Sequence, residues 1–130
     1  MLLEIDDQKT VGDLKERFSE CFPLLRLEFF PHVHHFQKGK PLNDDLELSA
    51  IRKVHEPGVI EIKSGTSLEK LTHQLKEKFG LHVKILRRHG PDWIGIGELH
   101  QSIQEASELA SVSLASNKDQ LQSELEGEEL

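Results

Sequence analysis

"LEIDDQKTVGDLKERFSECFPL", residues 3–24, and "IEIKSGTSLEKLTHQLKEKFGL", residues 60–81, superpose without a gap when the chain is shifted by 57 residues. Leu3, Glu4 and Ile5 fall on Ile60, Glu61 and Ile62. Val11, Leu14, Phe18 and Phe22 fall on Leu68, Leu71, Leu75 and Phe79. A recurrence of this length marks a repeated supersecondary unit, because one unit alone cannot bury its apolar face and two can share a core.

Each copy reads strand, helix, strand. In the first, "LLEID" is a short β-prone run. Thr10 with Asp13 three residues on is capping-box-like and starts a helix. Val11, Leu14, Phe18, Cys21 and Phe22 lie on one helical face, so Cys21 is expected to be a buried, inert thiol. Pro23 stops that helix, since the residue before a proline avoids the α region. Leu25, Leu27 and Phe29 then alternate with Arg26 and Glu28, as in a half-buried strand. In the second copy Thr66 and Glu69 have capping-box spacing, Gly80 sits where a helix-ending glycine belongs, and Leu81, Val83 and Ile85 point inward, aligning with the first copy's strand only after a one-residue slip. Two such units, at about 2–30 and 58–88, predict an α+β fold. The arrangement expected is ferredoxin-like: two helices on one face of a four-stranded sheet.

Residues 31–57 form a long connector with no expected counterpart in the second unit. "PLNDDLELSAI" within it predicts a short helix or turn capped by Asn43 or Asp44. After Gly90-Pro91 a short strand is expected over Trp93 to Ile96, which completes a domain over 1–96. Leu99, Ile103, Ala106, Leu109 or Ala110, and Leu114 keep helical spacing, predicting an amphipathic helix over 97–115. Residues 116–130 are acidic, without aromatic or β-branched residues, and predict a disordered or loosely helical tail.

Charge is distributed unevenly. Basic and acidic residues balance over 1–95, whereas 96–130 set Lys118 against eight acids, and the whole net charge of −7 arises there. Neither part offers the net basic surface that phosphate neutralisation requires, which argues against nucleic acid as a partner. No apolar run approaches the ~20 residues of a membrane helix. The start "MLLEIDDQKT" is no secretory signal, and the single cysteine excludes an intrachain disulfide. A cytoplasmic protein is expected.

Chemistry-bearing residues are few. His32, His34 and His35 cluster just past the first unit. In an extended strand His32 and His34 share a face and could chelate a divalent metal, with His55 returning from the far end of the connector as a third ligand. The bland reading is a polar loop past a strand end. "GIG", Gly95 to Gly97, is half of a dinucleotide fingerprint outside a βαβ unit, and reads as a turn. No catalytic signature occurs, so no enzyme and no cofactor is expected. Lys84, Arg87, Arg88 and His89 make a basic strip on the last strand. Trp93, the single tryptophan, is expected in the core.

"LEFF", "EI" and "KFGLHVKILRRHGPDWI" together resemble a family of small bacterial proteins, chiefly of Bacteroidetes, with no assigned function. The resemblance implies no activity. "LEIDDQKTVGDLKERF" with "KGKPLNDDLELSAI…PGVIEIK" is similar to the ubiquitin-like pattern over residues 2–63. That resemblance implies, as the alternative fold, a β-grasp with an added strand–helix–strand unit.

The function expected is a non-catalytic protein-interaction or regulatory module, with a protein partner or a second copy of the chain as ligand. Its candidate contact residues are Lys84, Leu86, Arg88, Leu99 and Ile103, on the open sheet face and the C-terminal helix. The alternative is a metal-binding protein using His32, His34, His35 and His55.

Overall fold

The computed structural model describes residues 1–31 and 40–112. His32, His34 and His35, the end of the expected C-terminal helix and the acidic 116–130 segment lie outside them. The elements are β1 (Leu2–Ile5), α1 (Val11–Cys21), β2 (Leu25–Phe30), α2 (Leu48–Ile51), β3 (Gly58–Glu61), α3 (Leu68–Phe79), β4 (His82–His89), β5 (Asp92–Gly95) and α4 (103–112).

Local signals set the helices. Thr10 caps α1 in a complete capping box: its hydroxyl accepts from Asp13 N at 3.1 Å and the Asp13 carboxylate accepts from Thr10 N at 2.9 Å. In the second copy the cap is one residue later than expected. Ser67 Oγ accepts from Lys70 N, while Thr66 Oγ1 turns back to Lys63 N and closes the preceding turn. α3 ends at Gly80, whose φ of 65° is the left-handed conformation that glycine adopts without a Cβ penalty. Cys21 is exposed rather than buried, since α1 is in its last turn there and the stripe facing inward is Val11, Leu14 and Phe18.

Strand pairing departs from the ferredoxin-like expectation. β1 and β3 form one antiparallel pair, and β2, β4 and β5 form a separate antiparallel sheet in that order. A ferredoxin-like sheet needs β2 beside β3, and β1 beside β4. Here β2 has β4 on one edge, and on the other Leu42 N donates to Phe29 O at 2.7 Å. β4 lies between β2 and β5, extended by Ile96 N donating to Ile85 O at 3.1 Å. Neither strand keeps an edge for β1 or β3 along these stretches. The same pairings depart from a β-grasp, since every described pairing is antiparallel and β3 joins only β1.

The repeat is a structural pseudo-two-fold. Leu3, aligned with Ile60, is also its cross-strand partner. In the other sheet Glu28 faces Lys84, its counterpart in the second unit once that strand is slipped by one residue from the 57-residue shift. Both antiparallel pairs are thus centred on one approximate axis.

The units also share a device at their helix starts. The first N–H groups of a helix have no partner within it. Val11 N and Gly12 N donate to Leu46 O and Asp44 O, both at 2.9 Å, while Leu48 N and Ser49 N donate to Lys9 O and Asp7 O at 2.9 and 3.3 Å. In the second unit Leu68 N and Glu69 N donate to Gln101 O and Leu99 O at 2.9 and 2.8 Å. Ile103 N and Gln104 N return to Thr66 O and Ser64 O, both at 2.9 Å. The two pairs of helix starts therefore satisfy one another, α1 with α2 and α3 with α4.

This clamp corrects two expectations. The connector does have a second-unit counterpart, the segment from β5 through the turn to α4. And α4 begins at residue 103, not 97, with Ser102 and Glu105 as its capping pair. α2 begins after Glu47, with neither Asn43 nor Asp44 as its cap; Asn43 Oδ1 accepts from Asp45 N within the preceding turn.

One core joins all layers. The inner faces of the β1–β3 pair supply Leu3, Ile5, Ile60 and Ile62, and the larger sheet supplies Leu25, Leu27, Phe29 and Ile85. The stripes of α1 and α3, with Leu48 of α2 and Ile103 and Ala106 of α4, pack against these. Each fully buried Leu or Ile contributes about 1.5–3 kcal/mol relative to exposure. α4 is therefore docked in cis, and Ile103, 1% exposed, is a core residue rather than a partner contact.

Candidate functional site

The alternation of β2, β4 and β5 puts one set of side chains in the core and the other on an outer face. The ladder Arg26↔Leu86↔Gly95, with Glu28↔Lys84 and Arg88↔Trp93 beside it, defines that face. It is a cationic surface, with Arg26, Lys84 and Arg88 set against Glu28, on a protein whose net charge is −7.

Trp93 is its centre. The ring carries two guanidiniums, Arg88 Cζ at 5.4 Å and Arg26 Cζ at 5.9 Å from its centroid. Such cation–π contacts are worth about 0.5–1 kcal/mol each at exposed sites. Arg88 is also held by Nε donating to Gly90 O at 2.8 Å, and Arg26 by its Nε at 2.7 Å from Glu28 Oε1. Trp93 is half-exposed here, not in the core as expected, because the β4–β5 register sets it opposite Arg88 on the outer face. Further along the face the Lys84 ammonium lies 5.2 Å from the Phe30 ring centroid.

One edge of the face runs into an ion-pair chain. Lys15 of α1, whose side chain is 12% exposed, sits 3.3 Å from Glu28 Oε2 and 2.8 Å from Asp44 Oδ1. Glu28, expected to lie on the open face, is therefore almost covered, with two cations on its carboxylate. A shallow groove follows between α1 and the outer face, with Glu16, Ser19, Arg26 and Trp93 on its walls.

A second polar cluster ties the connector to the first turn. Arg52, 4% exposed, donates Nε to Asp7 Oδ1 at 2.9 Å and Nη1 to Glu56 O and Phe79 O at 3.1 and 3.3 Å. Its Nη2 lies 2.8 Å from the same Asp7 oxygen but is misaligned for a second hydrogen bond, so that contact is an ion pair only. His55 Nδ1 is 2.8 Å from Asp7 Oδ2. Partial burial alone would raise the Asp7 carboxyl; the hydrogen bonds from Arg52 and His55, with their charges, outweigh it and hold the group below its ordinary value.

His55 is thus engaged with Asp7, and among the described residues no group of three His, Cys, Asp or Glu side chains could hold a metal ion. Lys84 and Arg88 share the outer face with the half-buried Leu86, whereas Leu99, 37% exposed, lies on the turn before α4. No helix among the described residues is long and apolar enough to cross a membrane. The pairing of Trp93 with Arg26 was out of reach in the sequence, because those residues meet through two strand pairings.

No family profile, curated protein or solved structure matches the chain. The functional reading therefore rests on the geometry of its own residues.

Proposed function

We propose that the chain is a non-catalytic, cytoplasmic interaction module that binds an acidic protein segment on the outer face of the β2–β4–β5 sheet. One observation carries the reading: a tryptophan with two guanidiniums over its ring, on a cationic face that no element among the described residues covers. Tryptophan and arginine are the residue types that dominate binding energy at protein interfaces. Their guanidiniums, fixed by Gly90 O and Glu28, lose little freedom when an acidic partner docks. Such a face attracts carboxylates by charge and covers the apolar part of a segment with the indole.

Trp93 is its own reporter, being the single tryptophan. Titration of the full chain with a synthetic peptide alternating Glu and Leu is expected to change the indole fluorescence saturably. Binding should weaken as salt rises, since exposed charge pairs are screened beyond ~10 Å at 0.1 M. Arg88→Ala and Arg26→Ala should each reduce affinity. A fluorescence response that is salt-independent, or unaltered by both arginine changes, refutes the assignment.

A further inference from the structure

The two strands of the β1–β3 pair differ at their outer edges. Met1 and Ile62 exchange both backbone hydrogen bonds at 2.8 Å. Bonded and non-bonded pairs alternate along an antiparallel ladder, so Leu3–Ile60 and Ile5–Gly58 are the next bonded pairs. The N–H and C=O of Glu4 therefore point out of the ladder on one side, and those of Val59 and Glu61 on the other. On the β1 side Lys9 Nζ donates to Glu4 O at 3.2 Å and lies 3.5 Å from Glu4 Oε2, which covers the edge. The repeat puts Thr66 where the first unit has Lys9. Its hydroxyl accepts from Lys63 N at 2.9 Å and is held in the turn. Among the described residues, no donor or acceptor meets the outward backbone groups of Val59 and Glu61.

A groove of about 350 Å³ runs along this open edge, between β3 and α3. Its α3 wall is Lys70, Gln74 and Lys78, one to each turn. The aligned residues of the first unit are Asp13, Arg17 and Cys21. Those are engaged within α1: Asp13 accepts from Thr10 N, and Arg17 meets Glu20 and Cys21. Lys70 and Lys78 are exposed, and their ammonium groups have no partner among the described residues. Glu61 on the opposite wall is matched by Lys63 at 3.8 Å, so the groove keeps a net positive charge. Charges that guard a free edge stand on the edge strand itself. Lys70 and Lys78 stand on the helix beside it and leave the backbone of β3 open.

We infer that β3 takes up an extended acidic segment of another protein as a third, antiparallel strand. Main-chain bonds to Val59 and Glu61 hold the segment, and its side chains select it. Lys70 and Lys78 lie two turns apart, about 12 Å along the helix. Residues four apart on a strand share a face and span about 13 Å. Two carboxylates at that spacing meet the two ammonium groups, and the residue midway between them meets Gln74. The alternate residues lie on the outer face beside Leu2 and Val59, 56% and 55% exposed, and fit apolar side chains. A second copy of β3 in the same place would set Lys70 and Lys78 against the same lysines of the other copy, and like charges disfavour it. The groove shares no residue with the Trp93 face and does not rest on the reading of that face.

The test is titration of the ¹⁵N-labelled full chain with the peptide Thr-Glu-Val-Ser-Val-Glu-Thr, blocked at both ends. The amide signals of Val59 and Glu61 should move together and saturate. The same peptide methylated on both valine nitrogens lacks the two N–H groups aimed at β3 and should leave those signals in place. Lys70→Ala and Lys78→Ala should each lower affinity by about 2–5-fold, the range of exposed ion pairs. Val59→Pro removes an outward N–H without touching the ladder to β1 and should abolish binding. The methylated peptide keeps the test decisive if that variant fails to fold. Equal binding of the methylated peptide, lysine variants that both bind as the wild type, or shifts confined to the Trp93 face would each overturn the assignment. So would shifts at Val59 and Glu61 on concentrating the protein without peptide, which report a second copy on the edge.

Discussion

Asp7 and Arg52 meet at 2.9 Å although forty-five residues separate them in the chain. Arg52 also reaches the carbonyls of Glu56 and Phe79, so one guanidinium holds the end of α3, the lead-in to β3 and the turn before α1. Arg52→Met retains the apolar stem and removes the donors. It should destabilise the fold by about 1–3 kcal/mol, the cost of leaving buried carbonyls without partners. The loss stays below that of a fully buried ion pair because Asp7 remains partly hydrated. Urea unfolding of both proteins measures it.

The same contact sets an acid limit. The folded Asp7 carboxyl lies below its ordinary value, so the folded state binds fewer protons than the unfolded state in the acid range. Its contribution is whole above the unfolded value of about 4 and is lost as pH falls through the lowered folded value. The stability difference between the wild type and Asp7→Asn should therefore shrink as pH falls below about 4. Thermal melts between pH 2.5 and 7 resolve it. A difference that grows toward low pH would contradict the sign.

Trp93 is expected to matter for binding and little for folding. Trp93→Ala removes two cation–π contacts and part of a half-exposed ring, a loss of about 1–2 kcal/mol. Replacing core Phe29 by alanine should cost about 3–5 kcal/mol by leaving a cavity. The contrast, read in chemical denaturation, separates a surface role from a core role.

Lys15 offers an internal comparison. Its contact with Glu28 is sheltered, with side chains 12% and 11% exposed, whereas Asp44 is 58% exposed. Double-mutant cycles should give a larger coupling for Lys15 with Glu28 than for Lys15 with Asp44. The latter should be under about 1 kcal/mol, as for exposed pairs, although it is the shorter contact.

Two glycines should respond in opposite ways. Gly80→Ala forces a side chain into the left-handed region and should destabilise by about 1 kcal/mol. Gly97→Ala meets open space at an ordinary φ and should be neutral or stabilise by about 0.4–1 kcal/mol through reduced freedom of the unfolded chain. Parallel thermal melts check both.

Much of the local structure was legible. The Thr10–Asp13 box, the Leu68–Leu71–Leu75 stripe, the Pro23 stop and the Gly80 cap each act within a few residues, and their signals lie side by side in the chain. Signals shared between neighbours were less secure. Thr66 and Ser67 both offer a hydroxyl at the start of α3, and the one that caps is decided by which of them closes the turn from Lys63. The α4 start was displaced because Leu99 keeps helical spacing with Ile103 while its carbonyl is bound to Glu69 N in a turn.

The sequence by itself determined two strand–helix–strand units with matching apolar faces, because periodicity and caps are local properties of a chain. It also showed that the units must share a core, since neither stripe can be buried alone. Only the tertiary structure decided how they join. Each inner strand face is equally apolar, so hydrophobicity does not choose between one sheet and two. The choice falls to backbone edges: Leu42 and Ile96 hydrogen-bond along β2 and β4, and the strands that remain, β1 and β3, pair with each other. The same assembly brings Arg26 and Arg88 to Trp93.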